Sequence, residues 1–249
     1  MNDDTAADAS ASKARAFLTL HRNLPREGPG EPADIEWLGR QIELPENALI
    51  CDIACGPGAD IGPLLELAPG ASVVAIDHNP QFLGQLADVW TGDPRVDVRL
   101  ADMSEPGGRY DLIWCAGAAY FLGVSEALKG WRKSLNSGGV IAFSEPCFWN
   151  DPPSEIVREI WSGYPDMSGE AGIAERVRAA GFETIATRRL ADSAWEAYYG
   201  PLLERMSELH EGADDTLRAV LRDAAAEIAA WNEYGDEFGY LLSVVRPSE

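Results

Sequence analysis

The segment Cys51 to Asp60, CDIACGPGAD, joins an apolar run to a turn that carries one buried-looking carboxylate, Asp52, and two glycines, Gly56 and Gly58. Glycines after a strand let backbone N–H groups come close to a ligand, because no side chain stands between. A phosphate-binding P-loop would need Gly-Lys-Ser/Thr at the start of the next helix, and this turn has no lysine. A dinucleotide turn wants Gly-x-Gly-x-x-Gly, whereas Gly56, Gly58 and Gly62 are one residue too wide at the third position. Asp52 itself argues against a pyrophosphate, which a carboxylate repels.

Two further carboxylates follow at the ends of strand-like runs. Asp77 lies nineteen residues after Gly58, where a carboxylate can accept both hydroxyls of a ribose, a position shared with dinucleotide folds. Asp102, in LADM, follows the third run.

These residues need a scaffold that brings strand ends together. Strand-like runs lie at Ala48 to Ala54, Ser72 to Asp77, Val96 to Ala101, Asp111 to Cys115 and Gly139 to Ser144, with helix-like runs at Ala59 to Leu67, Pro80 to Trp90 and Ser125 to Leu135 between them. Asn79-Pro80 reads as a helix start, and Asn136 to Gly139 as a helix stop. Alternating strands and helices imply a parallel sheet covered on both faces, which binds ligands beyond the carboxyl ends of its strands. Upstream, Lys13 to Leu20 is a short helix, Leu24 to Pro32 a Pro/Gly loop, and Asp34 caps a helix to about Ile42. Downstream, Pro153 to Ser162 and Gly172 to Ala180 read as helices and Phe182 to Leu190 as a strand. Two long helices follow, Ser193 to Leu209 and Asp215 to Trp231, before a last strand, Phe238 to Arg246.

Composition narrows the partners. Forty-one acidic against 20 basic residues give a formal charge of −21 over 249 residues, which opposes binding to a nucleic-acid backbone. The uncharged run Leu112 to Val124 is too short to span a bilayer. MNDDTAADASAS lacks a basic start and an apolar segment, so residues 1–12 read as a disordered acidic tail rather than a secretory signal. Cys51, Cys55, Cys115 and Cys147 have no nearby histidine, so no metal site is expected, and reduced thiols in the cytoplasm are the simplest setting.

The segment Asp52-Ile-Ala-Cys-Gly-Pro-Gly-Ala resembles the glycine-rich motif of class I S-adenosylmethionine-dependent methyltransferases. YDLIWCAGAAYF resembles that family's fourth strand and lip, and LNSGGVIAFSEP its fifth strand. The resemblance is specific over roughly residues 46–146. HRNLPREGPG, IWCAGAAYFLG, FSEPCFW and AWEAYYGP look like a subgroup of bacterial small-molecule enzymes of the type 11, ubiquinone-biosynthesis-like group. It implies a Rossmann-like, doubly wound α/β fold, with a mostly parallel seven-stranded sheet. It also implies a single domain over residues 13–249: an N-terminal helical lid (13–45), a cofactor-binding core (46–146), and a helical insertion (191–235) before the last strand. S-adenosyl-L-methionine would be held by Asp52, Ala54, Gly56, Gly58, Asp77, His78, Asp102, Met103 and Cys115. In that pattern Asp52 and the loop face the methionine end, whose ammonium suits a carboxylate. Asp102 accepts the adenine amino group and Met103 packs on the ring.

Methyl transfer from a sulfonium is an in-line displacement, so alignment can supply most of the rate, and a base is needed only if the nucleophile must shed a proton. His21, Tyr120 and Glu145 are the candidate proton acceptors. Trp195, Tyr198, Tyr199, Trp231 and Tyr234 either pack the helical insertion or line an apolar acceptor pocket. Leu24 to Gly30 reads as a lid. The acceptor is a small molecule. A nicotinamide-dependent oxidoreductase and a protein that binds S-adenosylmethionine without turnover are the alternatives, and the sequence does not choose between a monomer and a homodimer.

Overall fold

A sheet whose central strands are near-continuous apolar runs forms the middle of the computed structural model, which describes residues 2–248; its edge strands are more polar. In chain order they are β1 (Leu49–Ile53), β2 (Ser72–Asp77), β3 (Val96–Leu100), β4 (Tyr110–Cys115), β5 (Leu135–Phe148), β6 (Ser168–Gly169), β7 (Phe182–Arg189) and β8 (Phe238–Pro247). The sheet runs β3-β2-β1-β4-β5-β8-β7, with β6 paired to the end of β5. The pairings among β1 to β6 are parallel, and β8 is antiparallel to both β5 and β7. The seven expected strands are therefore present. The two-residue β6 is an eighth, too short to leave a periodicity in the sequence.

Strand order reverses between β1 and its two neighbours, β2 on one side and β4 on the other, which opens a crevice at their carboxyl ends. Period-2 alternation divides the sheet into two faces. Ile50, Val73, Leu112, Trp114, Ala142 and Leu242 belong to one buried layer, whereas Cys51, Ile53, Ile113, Cys115, Ile141 and Phe143 belong to the other.

The helices are α1 (Asn2–Leu20), α2 (Pro32–Gly39), α3 (Ile61–Leu65), α4 (Pro80–Trp90), α5 (Val124–Arg132), α6 (Glu155–Ile160), α7 (Glu170–Ala179), α8 (Asp192–Leu209) and α9 (Asp215–Tyr234). As expected, Asn79 caps α4 by accepting from the Gln81 N–H at 3.0 Å. Three local expectations change. Residues 2–12, expected as an acidic tail, fall within the span of α1, whose sequence there is rich in alanine. The cap of α2 is Glu31, not Asp34. Asp34 sits at the third helical position and accepts from the Glu31 N–H at 3.0 Å, the reciprocal half of a capping box. Helix α5 stops at Arg132, and β5 begins at Leu135 and absorbs the Asn-Ser-Gly-Gly segment with a register shift against β4.

The pair α8–α9, inserted between β7 and β8, packs against α1. Together the three helices roof the crevice. The loop from Leu24 to Pro32 ties into the roof through the Gly30 N–H, which donates to the Ala194 carbonyl at 3.1 Å. Among the described residues no helix is long and apolar enough to cross a membrane.

Candidate functional site

Under the roof lies a cavity of about 810 Å³, floored by the ends of β1, β2 and β4 and walled by α1, α8 and α9. The turn after β1 is shaped for close approach. Ala54 and Gly56 both have φ of +54°, and the Cys55 N–H donates to the Ile76 carbonyl at 3.0 Å. Asp77, buried at the end of β2, accepts from the Gly56 N–H at 2.9 Å and from the Asn79 N–H at 2.8 Å, one bond to each carboxylate oxygen. An ionised carboxylate offers about four lone-pair sites, so each oxygen keeps one for a ligand.

Asp52 is the most unusual group in the site. It is 2% exposed, lines the cavity, and its Oδ2 has no hydrogen-bond partner. Burial, and then the neighbouring Asp60 and Asp77, push its carboxyl well above the usual range, with Arg26 opposing. A buried carboxylate oxygen without a donor is costly, and a cationic donor in the cavity would relieve that cost.

The loop between α1 and α2 is pinned from below. Arg26 Nη2 donates to Asp60 Oδ1 at 2.8 Å, and the indole N–H of Trp114 donates to Asp60 Oδ2 at 2.8 Å. Beside it, His21 Nδ1 and Glu27 Oε2 are 2.6 Å apart, and the imidazole stacks on Phe17 with ring centroids at 3.8 Å. Burial pushes the Glu27 carboxyl up and His21 opposes the shift. With the shared proton on Nδ1, Nε2 is the free nitrogen of that ring.

Asp52, Ala54, Gly56, Asp77, His78 and Met103 line the cavity, as do the base candidates His21 and Tyr120. His78 is on the rim, with its side chain 84% exposed. Four expected residues lie elsewhere. Gly58 faces α4: a Cβ there would meet Leu86 at 2.9 Å and Ile61 at 3.0 Å, so the missing side chain makes room for that helix, and Gly58 is not among the residues lining the cavity. Cys115 shares the sheet face of Ile113, opposite Trp114, and is fully buried away from the cavity. Glu145 has the same parity as Ile141 and Phe143 on β5. It is fully buried, outside the lining, and bonded to the Tyr164 hydroxyl, and burial pushes it up to about 7. Asp102 is exposed, accepts from the Ser104 N–H at 2.7 Å, and is held below the usual carboxylate range by that contact.

Of the insertion aromatics, Trp195, Tyr198 and Tyr199 line the cavity, Trp231 stacks behind Trp195 at 5.5 Å, and Tyr234 is outside. Tyr240 adds a further ring, 5.5 Å from Trp195. The Tyr199 hydroxyl donates to Glu227 Oε1 at 3.1 Å. Glu227 lines the cavity with its side chain exposed, and desolvation there pushes its carboxyl up, with His21 opposing. Arg26, Glu27, Asp60 and Glu227 all escaped the sequence reading. Asp60 stood in the quoted glycine stretch and Arg26 in the loop read as a lid, but they pair across 34 residues; Glu27 lies only six residues from His21, yet no periodic pattern marks that pair. Glu227 carries no local signal on an ordinary amphipathic helix.

Residues 51–141 match the family model described as "Methyltransferase domain". The chain is 29% identical over 216 residues to a trans-aconitate 2-methyltransferase of Streptomyces avermitilis, covering 80% of each chain. It superimposes on a SAM-dependent methyltransferase of Geobacter sulfurreducens solved with S-adenosyl-L-homocysteine, with a TM-score of 0.80 at 19% identity over 94% of this chain and 98% of that one. A second such structure, from Thiobacillus denitrificans, gives a TM-score of 0.79 at 18% identity, over 94% of this chain and 98% of that one. Residues 51–141 thus carry a methyltransferase domain, and the chain shares the Rossmann-like α/β fold of these solved S-adenosylmethionine-dependent methyltransferases.

Proposed function

We propose that the cavity is where methyl transfer takes place. Its sheet end would hold S-adenosylmethionine, and its helical end, between α1, α8 and α9, would take a small-molecule acceptor. The observation that carries this assignment is the unpartnered, buried Oδ2 of Asp52 beside the Gly56 turn, a fit for the ammonium of the methionine end. Asp77, with one free lone-pair site on each oxygen, would accept the ribose hydroxyls, and Met103 would lie against the adenine. When bound, S-adenosylmethionine supplies an electrophilic methyl group on a sulfonium.

The chain's own residues supply position, shelter and a proton acceptor. The α1 helix and the loop pinned by Arg26 and Asp60 line the crevice and would shield the reacting groups from water. His21, oriented by Glu27 through the 2.6 Å contact, would take a proton from an acceptor that must lose one. Tyr120, protonated at neutral pH as a tyrosine ordinarily is, would help position the acceptor rather than take its proton, since burial pushes its hydroxyl further up, to about 12. A charge of −21 supports a small molecule over a nucleic acid.

Replacing Asp52 by Asn tests the cofactor half of this reading. Calorimetric titration with S-adenosylhomocysteine should show affinity lowered by about 1.5–3 kcal/mol, the range for a lost hydrogen bond to a charged group. Unchanged affinity would remove Asp52 from the site.

A further inference from the structure

Among the described residues, every cation lining the cavity lies against a carboxylate. Lys13 meets Asp223 at 3.0 Å, Arg26 meets Asp60 at 2.8 Å, His21 meets Glu27 at 2.6 Å, and His78 lies 3.7 Å from Asp77. Glu227, by contrast, lies at the helical end with no ion pair, holding the Tyr199 hydroxyl by a hydrogen bond and feeling only the more distant imidazole of His21. Around it stand the rings of Trp195, Tyr198, Tyr199 and Tyr240, which present electron-rich faces and hydroxyls and no positive charge. A tricarboxylate acceptor, such as the one in the names of the Streptomyces relative and its kin, needs guanidinium or ammonium groups free to pair with it. This cavity has none to spare. Its surplus is one of carboxylates and aromatic rings, the combination that attracts an organic cation.

We infer that the acceptor is an amine, cationic at neutral pH and carried on an apolar body, and that it is methylated at nitrogen with Glu227 as its counter-charge. This rests on the methyl-transfer reading above. The chemistry also accounts for His21 and Glu27. An ammonium has no lone pair, so one proton must leave the nitrogen first, and His21, which lines the cavity with Nδ1 on Glu27, would accept it at Nε2. The freed nitrogen lone pair then forms the N–C bond to the methyl group as the C–S bond breaks. The C–S electron pair stays on sulfur, leaving a neutral thioether and a methylated ammonium. The proton on His21 passes to water after product leaves. A carboxylate acceptor would need no such proton acceptor.

The test uses the full chain saturated with S-adenosylhomocysteine and titrates two probes, benzyltrimethylammonium and trans-aconitate, by calorimetry. The quaternary cation is expected to bind and trans-aconitate not to. Glu227→Gln, checked for intact folding by circular dichroism, should weaken cation binding by at least about tenfold. Binding of trans-aconitate in place of the cation, binding of neither, or an unchanged affinity in Glu227→Gln would overturn the inference. The comparison of the two probes on the unsubstituted chain decides the matter even if the variant does not fold. Turnover with S-adenosylmethionine, followed as S-adenosylhomocysteine released, should favour a panel of primary and secondary amines over a panel of carboxylic acids, and the reverse order would equally overturn it. If S-adenosylhomocysteine itself fails to bind, the methyl-transfer reading falls and this inference falls with it. If S-adenosylhomocysteine binds and the amine arm fails, only the acceptor assignment falls.

Discussion

Glu145 is a fully buried carboxyl whose only hydrogen-bond donor among the described residues is the Tyr164 hydroxyl, and replacing it by Gln should make the protein more stable at neutral pH. Burial raises the carboxyl from 4.5 to about 7, so between those values the folded chain keeps a proton that the unfolded chain has released. Stability conferred by the protonated group therefore falls as pH rises through this window, and the loss is complete above about pH 7. A gap of about 2.5 pH units at 1.36 kcal/mol each corresponds to roughly 3 kcal/mol. Glutamine does not titrate, and its carbonyl can still accept from Tyr164. The stability difference between Glu145→Gln and the parent should grow by about 2–3 kcal/mol between pH 5 and pH 8, with most of the change below pH 7. Urea unfolding at half-unit pH steps reads it directly, since titrations common to both proteins cancel in the difference. A difference that does not vary with pH, or a variant that loses ground as pH rises, would mean that Glu145 is ionised in the folded protein and that its burial has been misread.

Three further outcomes follow from the geometry around the turn. Gly58→Ala places a methyl group against Leu86 and Ile61 at a residue with φ of +87°, and thermal unfolding should register a loss of about 1–3 kcal/mol. Retained stability would mean that α4 can shift to make room. Arg26→Ala removes the cationic partner of Asp60 from a pair whose side chains are only 10% and 11% exposed, and should cost about 3–5 kcal/mol in denaturant unfolding; a cost under 1 kcal/mol would show the pair to be solvated. Asp77→Asn should lower affinity for S-adenosylhomocysteine by about 1–3 kcal/mol in calorimetry while the chain stays folded, and equal affinity would take Asp77 out of the cofactor site.

What could be read before the structure was local or periodic. The β1 turn, the acid at Asp77, the Asn79-Pro80 helix start and the seven apolar strands all leave their mark within a few residues, and all of these appear in the fold. Parity along a strand was legible too, and it puts Cys115 and Glu145 on the sheet face away from the cavity, because Trp114 and Cys115 must point to opposite sides. The motif resemblance had included Cys115 in spite of that alternation. Gly58 shows the converse: the motif carries the glycine, but only the position of Leu86 tells whether the missing side chain makes room for a ligand or for a helix. The contacts that complete the site join distant segments, Arg26 to Asp60 and Tyr199 to Glu227, and no periodicity records them.

The most direct trial of the central claim is parallel calorimetric titration of the unsubstituted protein with S-adenosylmethionine, S-adenosylhomocysteine and NADH. The account predicts binding of the first two at a stoichiometry of one per chain, and none of NADH, whose pyrophosphate would face the carboxylates of Asp52, Asp60 and Asp77. Binding of NADH with neither sulfur compound bound would contradict the account.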